Sequence, residues 1–535
     1  MGFFNNNQQN QKRPMNQKDI RTQIQTYPRP NINFNPRTPS LKRLKDKTKI
    51  NIRYALIEPY AYVHIYWDEE NYEIVYEVEE PVLDEIEESI REEMISAMRN
   101  FINFDVLVDN DMEKLLAYID KRFKILAVEL GMNFSFESYS KIYYYLVRDF
   151  LGFNEIDPLL RDFYVEDIEC NGTEGPVYIV HRIYRNIKTN VRFTDVDKLA
   201  SFIEKLAQRA GKYISYANPI LDGTLPDGSR INATYTKDIT SKGPTFTIRK
   251  FTKSPWTPPK LLSMNTLSPE MLAYLWMLVQ YKMNILITGG TSSGKTTLLN
   301  AIAFFIPPES RIVSIEDTRE LNLPQENWLP SVVRTATSAG KMSEIGLFVL
   351  LKSSFRQNPD YVIVGEVRGK ETYVLFQGMA SGHSSLSTIH ADSVDTLIKR
   401  LETPPIELSP TLLNVLDCVC IMSHAIVKKQ ETRKLKEIVE IINVTPDGIA
   451  LTNTPFVWNP SDDRFYFKKN SKIFEKIGKR YGLSLQELET EFKRRTRLIY
   501  ELYRQQIFKF HEVQEIIHRY YKKPDDILRK FNIEI

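Results

Sequence analysis

The sequence predicts an α/β fold in which a largely parallel sheet is covered by helices and preceded by a smaller α/β domain. Three observations predict it. From residue 268 to about 460, apolar runs of four to six residues (284–288, 312–316, 361–364, 418–422) alternate with amphipathic stretches, the pattern of strands buried on both faces and joined by helices. One of these runs ends in a glycine-rich loop that opens a helical stretch. Upstream, from 155 to 252, short strand-like runs (177–180, 231–235, 245–249) mix with a helical segment over 197–210.

Composition bounds the reading. The chain has 535 residues, and at roughly 150 residues per domain that is three or four folded units. Apolar residues make up 42% and charged residues 26%, so cores are affordable and fibrous or fully disordered classes are excluded. The net charge of +3 is too balanced for a dedicated nucleic-acid binder. The three cysteines (Cys170, Cys418, Cys420) make neither a disulfide framework nor a CxxC zinc site. The apolar run over 271–279 has nine residues, short of the ~20 that cross a bilayer. The N-terminus has no apolar core of a secretory signal. A soluble, multidomain protein of a reducing compartment is expected.

The elements follow in order. Residues 1–50 hold eleven basic and two acidic side chains, a local net of +9, and few large apolar groups. They are expected to be a disordered basic tail, either a solvated linker or a segment drawn to an acidic partner or an anionic membrane surface, where each cation contributes ~1 kcal/mol. Residues 51–154 form an N-terminal strand-plus-helix region: alternation over 53–82 reads as a strand meander, and helical periodicity runs over 83–150. Within it, 67–93 carries thirteen acidic groups and one Arg, a solvated face or a partner for the tail. Residues 155–253 are the second α/β domain, and 254–262 is a proline-rich linker. Ser268-Pro269-Glu270 opens a helix, with Ser as N-cap, Pro in the first turn and an acid at the positive dipole end. The main sheet domain spans 263–460, and 461–535 is a basic helical region.

The strongest chemical signal follows Thr288. Gly289-Gly290-Thr291-Ser292-Ser293-Gly294-Lys295-Thr296-Thr297 is G-x-x-x-x-G-K-T, preceded by a strand and followed by a helix. Glycines let successive backbone amides wrap phosphates. Lys295 sets a cation on the β- and γ-phosphates, and Thr296 offers a hydroxyl to magnesium. The helix aims its positive end at the same anions. Two carboxylates stand just past apolar strands, Glu316 in Ser314-Ile315-Glu316-Asp317 and Glu366 in Val364-Gly365-Glu366-Val367-Arg368, at the sheet edge where open α/β folds bind ligands. A strand often ends in a charged residue, but two such ends downstream of a phosphate loop suit metal binding and water activation. His383 and His390 are two of the seven histidines, both within 381–392. Imidazole can donate to a γ-phosphate and sense its loss. Their spacing also suits a metal, although no Cys or third His is near.

At these elements the sequence closely resembles the secretion superfamily of ATPases, which drives type II secretion, type IV pili, archaella and type IV secretion. The family's Walker A loop, aspartate box, atypical Walker B and histidine box stand here, in the family's order, as GGTSSGKTT, SIEDTREL, RQNPDYVIVGEVRG and GMASGHSSLSTIHADS. The resemblance extends back through LDGTLPDGSRIN and FTIRKF and forward to about residue 460. It implies a RecA-like P-loop motor domain after a smaller domain, with an N-terminal extension and a C-terminal helical tail. It implies ATP and Mg2+ as ligands, bound by residues 289–297, with Thr296 and Glu366 at the metal. Glu316 is implied as the water-activating carboxylate, Glu366 as the organiser of magnesium, with the two roles exchangeable, and His390 as the γ-phosphate sensor. Arg230 and Arg249 match the family's arginines that reach nucleotide within a hexameric ring; an ordinary salt bridge is the plain alternative for each. A polytopic membrane platform protein is the implied partner, at the cytoplasmic face of the membrane.

The missing four-cysteine module, EDTREL in place of the bacterial EDPIE, and the basic helical tail resemble the archaeal branch, as a pilus or secretion motor or an archaellum motor. A nucleic-acid translocase would share the core fold; the balanced charge and the lack of a basic, aromatic-interleaved groove argue against it, and no nucleic acid is expected as partner. A nucleotide-dependent scaffold is disfavoured by the two strand-end carboxylates, and a phosphate-loop kinase by the lack of a substrate lid.

Overall fold

The computed structural model describes residues 24–39, 41, 46–101, 111–251, 255–334, 345–427, 430–468 and 470–533. The chain divides into two compact units, Met1–Lys250 and Phe251–Ile535. Of the tail expected over 1–50, residues 1–23, 40 and 42–45 lie outside the described residues. From Ile24 onward the chain is docked: Ile24 and Ile32 are buried in the core of the first unit, and Asn33 bridges to Glu58. A few apolar anchors in a basic, proline-rich stretch are enough to fix it, which composition averaged over fifty residues conceals.

The first unit is built on one nine-stranded sheet. Its strands are β1 (Asn51–Ile57), β2 (Ala61–Asp68), β3 (Glu73–Glu79), β4 (Val165–Cys170), β5 (Pro176–His181), β6 (Arg185–Arg192), β7 (Ile220–Thr224), β8 (Arg230–Thr234) and β9 (Thr245–Arg249), in the spatial order β1-β2-β3-β6-β5-β4-β9-β8-β7. The meander and the later α/β segment therefore share a sheet, joined where Val75 and Tyr76 of β3 pair in parallel with Lys188 and Thr189 of β6. Helices Met112–Glu129, Phe136–Phe150 and Val196–Arg209 start at Asp111, Ser135 and Asp195, whose side chains accept from first-turn amides. Buried Asp162 accepts from the hydroxyls of Tyr54 and Tyr76, each at 2.7 Å. The Lys250 ammonium donates to the Asp162 carbonyl, which fixes the end of the unit.

The second unit carries β10 (Ile285–Gly289), β11 (Ile312–Glu316), β12 (Trp328–Val332), β13 (Tyr361–Val364), β14 (Ser384–Ile389), β15 (Cys418–Val427), β16 (Gln430–Val444), β17 (Ala450–Asn459) and β18 (Arg464–Phe467). Their order is β12-β11-β13-β14-β10-β15-β16-β17-β18. The first six pair in parallel and the last three extend the sheet antiparallel. This is the RecA-like P-loop arrangement. β10, β11, β13 and β14 are buried at every position, as parallel strands covered on both faces must be. β14 achieves this with Ser384, Ser385, Ser387 and Thr388, which is why a strand was not visible in that Ser-rich segment. Helix Pro269–Gln280 has Ser268 as its N-cap, as expected.

The helical region after 461 opens with β18 and packs into the same core as the sheet, with Phe474 against Tyr274 and with Tyr520 and Tyr521 against Trp276. Part of the expected 254–262 linker is also fixed here: Thr257 and the prolines begin helix Pro258–Ser263, Trp256 packs on the core, and Thr257 Oγ1 donates to the Phe508 carbonyl at 3.0 Å.

Candidate nucleotide-binding site

β10 and helix Lys295–Ala303 are joined by a loop whose backbone excludes ordinary residues at two points. Gly289 has φ +145°, and a Cβ there would lie 2.4 Å from the Met422 carbonyl oxygen and 2.7 Å from Ser293 Oγ. Gly294, the N-cap of the helix, has φ +97°. Both positions lie where only glycine is unstrained. Ser293 Oγ donates to the Gly290 carbonyl at 2.8 Å and tightens the turn, while Thr291 and Ser292 are exposed. The first amides of the helix have no intrahelical acceptor and face the loop, the usual arrangement for holding an anion. Thr296 and Thr297, in its first turn, are half-buried.

Lys295 is 8% exposed. Its Nζ donates to the carbonyls of Gly289 at 3.0 Å and Gly290 at 2.9 Å and lies 3.3 Å from His390 Nδ1. Burial lowers its pKa, against the opposing charge of Glu366. His390 follows β14, and its Nε2 lies 2.9 Å from Glu366 Oε1. Burial and then the Lys295 charge lower the imidazole pKa, so the ring is neutral at pH 7. The contact with Glu366 is thus not a charge pair, and its angle leaves Glu366 Oε1 without an aligned donor. Glu366 Oε2 accepts from Arg368 Nη2 at 2.5 Å. That hydrogen bond raises the Arg368 pKa. Arg400 Nη1 donates to the His390 carbonyl at 2.8 Å and fixes the turn after β14. Three strand ends thereby place Lys295, His390, Glu366 and Arg368 in one continuous run. Arg368 and Arg400 were given no role in the sequence reading; Arg368 lies inside the Gly-Glu motif, which was the available signal.

Glu316 ends β11 and is 2% exposed. One oxygen accepts from the amides of Glu320 at 2.8 Å and Leu321 at 2.9 Å. The other is buried without a partner among the described residues. Burial pushes its pKa from 4.5 up to about 7, against the lowering effect of the two amides. It packs against Gly365: a Cβ at 365 would lie 3.1 Å from Glu316 Cγ. Gly365 is held in turn by Thr388 Oγ1, which donates to its carbonyl at 2.7 Å. Glu316 therefore stands directly behind the residue that precedes Glu366. His383 is placed differently from His390. Its ring packs on Phe355 with centroids 4.9 Å apart, and Nδ1 lies 3.3 Å from the Gly378 carbonyl.

Arg230 and Arg249 lie in the first unit, opposite each other on β8 and β9. Arg230 pairs with Asp222 at 3.3 Å and Arg249 with Asp167 at 3.0 Å, with side-chain exposures of 47% and 64%. Each has the ordinary salt bridge that was its plain alternative, yet both guanidinium groups remain open to solvent. Such exposed pairs contribute about 0–1 kcal/mol, so either arginine can leave its partner readily.

Residues 158–450 match the family model described as type II/IV secretion system protein. The uncharacterized protein MJ0900 of Methanocaldococcus jannaschii is 34% identical over 538 residues, covering 94% of this chain and 95% of that protein. The type IV secretion system protein PtlH of Bordetella pertussis is 32% identical over 228 residues, 38% of this chain and 67% of that protein. Among solved structures, the VirB11 ATPase of the Brucella suis type IV secretion system aligns with 53% of this chain and 92% of its own, at 25% identity and a TM-score of 0.28. The Legionella pneumophila ATPase DotB aligns with 54% of this chain and 80% of its own, at 19% identity and a TM-score of 0.38. With the phosphate loop, both strand-end carboxylates and the histidine inside the matched span, the chain belongs to the type II/IV secretion system protein family.

Proposed function

We propose that this chain is an ATP hydrolase that works as a hexameric ring and drives assembly of a type IV pilus-like filament, or type II-like secretion. It would act on a polytopic membrane platform protein from the cytoplasmic face of the membrane. Family membership supports the secretion setting. The run Lys295–His390–Glu366–Arg368 beside a phosphate loop is the observation that carries the ATP chemistry. Among the described residues, no helix is long and apolar enough to cross a membrane, so membrane action would go through a partner or the lipid surface.

In this reading the amides of 289–297 hold the phosphates. Lys295 turns from the carbonyls of Gly289 and Gly290 to the β- and γ-phosphates. The Thr296 hydroxyl and, through water, the Glu366 carboxylate are hard oxygen donors that fit magnesium, which supplies charge neutralisation at the phosphates. Glu316 takes a proton from the attacking water as its oxygen bonds to the γ-phosphorus. The bond from the γ-phosphorus to the bridging oxygen breaks, and ADP carries that oxygen away. A carboxyl raised to about 7 suits a base working near neutral pH. His390, neutral, donates to the γ-phosphate and loses that contact when phosphate departs. Arg230 and Arg249 supply the additional positive charge within the ring. Phosphate loss then lets the segment between Lys250 and Thr257 act as a hinge, since each of these two residues is anchored in its own unit.

The exchanged assignment has one observation in its favour: Glu366, not Glu316, is linked through His390 to Lys295. An archaellum motor would use the same chemistry on a different filament; neighbouring genes for prepilin or archaellin separate the two. The deciding experiment is an ATPase assay on purified protein with and without DNA and with and without anionic liposomes, alongside Lys295→Ala. Magnesium-dependent turnover, abolished by the substitution and indifferent to DNA, is expected. Steep DNA stimulation would identify a translocase instead, and absence of turnover in every condition would sink the motor.

A further inference from the structure

β11 and β12 are parallel neighbours, and residues 317–327 between them contain no helix. A crossover without helical bonds must find other partners for its backbone groups. It finds them on helix Lys295–Ala303, through two amide side chains that are each 4% exposed, Asn300 and Gln325. Asn300, on the helix, donates from Nδ2 to the Glu320 carbonyl at 3.2 Å and accepts at Oδ1 from the Asn322 amide at 3.0 Å. Gln325, on the crossover, donates from Nε2 to the carbonyls of Ala303 at 2.9 Å and Ile306 at 3.1 Å.

The two ties hold different things. Gln325 fastens the far end of the crossover to the C-terminal end of the helix. Asn300 grips the turn that holds Glu316. The Glu320 carbonyl and the Leu321 amide are the two ends of one planar peptide group. Asn300 holds its oxygen, and Glu316 Oε1 accepts from its N–H at 2.9 Å. The Glu320 amide donates to the same oxygen at 2.8 Å. With Oε1 fixed in this way, the direction of Oε2, which is buried without a partner among the described residues, is fixed as well. Asn300 also follows Thr296 by four residues, a spacing that puts both on one face of the helix. A single relay thus runs from the phosphate-loop helix through one side-chain amide and one peptide plane to the carboxylate.

We infer that Asn300 is a positioning residue for Glu316, tying the aim of its carboxylate to the seat of the phosphate-loop helix. This rests on the reading of Glu316 as the base and adds how it is aimed. The charged groups acting on Glu316 are Glu320, which raises its pKa, and Arg319, which lowers it; substitution of Asn300 removes neither. The two amides lower the pKa, so a loosened turn should move it above about 7.

The test is steady-state ATP turnover by the full chain with magnesium, across pH. Asn300→Ala should lower kcat about tenfold or more with KM for ATP unchanged, and should shift the turnover inflection to higher pH. Gln325→Ala removes an equally buried tie; it should lower the melting temperature yet keep kcat and the inflection. Asn300→Asp keeps the acceptor for the Asn322 amide and loses the donor to the Glu320 carbonyl. It serves where the alanine variant folds poorly, and its kcat should fall in the same way, because the lost bond is the one on the relaying peptide. Equal losses of kcat in the Asn300 and Gln325 variants, a loss carried by KM alone, or an unmoved inflection overturns the assignment. Retained turnover in Glu316→Gln, or none in the unaltered chain, would instead overturn the reading on which it rests, so the two failures are distinguishable.

Discussion

Glu316 shows how one residue can be read through its proton. In the native state its carboxyl titrates near 7, while an unfolded chain releases that proton near 4.5. Between those values the folded state holds more protons, so stability falls as pH rises from about 4.5 to about 7 and is flat in this term above that. The full difference is about 3 kcal/mol. Glu316→Gln removes the penalty, so its melting temperature should exceed that of the unaltered chain above pH 7 and converge with it near pH 4.5. An unchanged difference across the range would show that Glu316 is not the shifted group. If Glu316 is the base, turnover should rise through an inflection near pH 7, and the Gln variant should bind ATP without turning it over. Retained turnover in Glu316→Gln alongside its loss in Glu366→Gln would exchange the two roles. Gly365→Ala probes the same contact from behind. Its methyl would press on Glu316 Cγ at 3.1 Å, and a displacement of this kind should lower kcat about 10–100-fold while leaving ATP affinity intact.

At the scale of elements, the buried Glu440 decides how the C-terminal helices attach. Located on β16, it accepts from the Tyr274 hydroxyl at 2.6 Å, Ser471 Oγ at 2.5 Å, the Lys472 amide at 2.8 Å and Asn453 Nδ2 at 2.7 Å. Three segments, at Tyr274, Asn453 and Ser471-Lys472, thus end on one carboxylate. Glu440→Ala would leave those donors buried without an acceptor and should destabilise the second unit by about 3–5 kcal/mol, measured by urea unfolding. Hydrogen exchange should speed first in helix Lys472–Tyr481. Ser471→Ala removes only the N-cap and one of these donors, and should cost about 1 kcal/mol. A larger loss for Ser471→Ala than for Glu440→Ala would refute this ranking.

For the molecule as a whole, the proposed ring makes a prediction that no single subunit satisfies. Arg230→Ala and Arg249→Ala remove guanidinium groups that are open to solvent, so each variant should fold with a nearly unchanged melting temperature. As charge donors in a ring they should lower kcat by about 10³-fold or more. If the arginines act between subunits, mixing Lys295→Ala chains with Arg230→Ala chains should restore part of the turnover, because some interfaces regain both groups. Mixtures no more active than their components would place the arginines outside the reaction.

How much was legible follows from how far apart the cooperating residues lie. The phosphate loop is contiguous, so its glycines, Lys295 and the helix it opens were readable directly. Strands β10, β11 and β13 were readable too, because burial on both faces forces unbroken apolar runs. β14 was not, because most of its buried positions are filled by Ser and Thr, residue types that also mark loops. Ile24 and Ile32 are single anchors in a stretch whose average composition is that of a solvated tail. The sequence by itself determined the fold class, the phosphate loop and the candidate carboxylates, since each depends on neighbours along the chain. Only the tertiary structure decided the joining of β3 to β6, the gathering of donors on Glu440 and the seat of Glu316 behind Gly365. Each of these depends on which surfaces are brought together when the sheets assemble, and the local pattern of a chain does not encode the partner at the far end of such a contact.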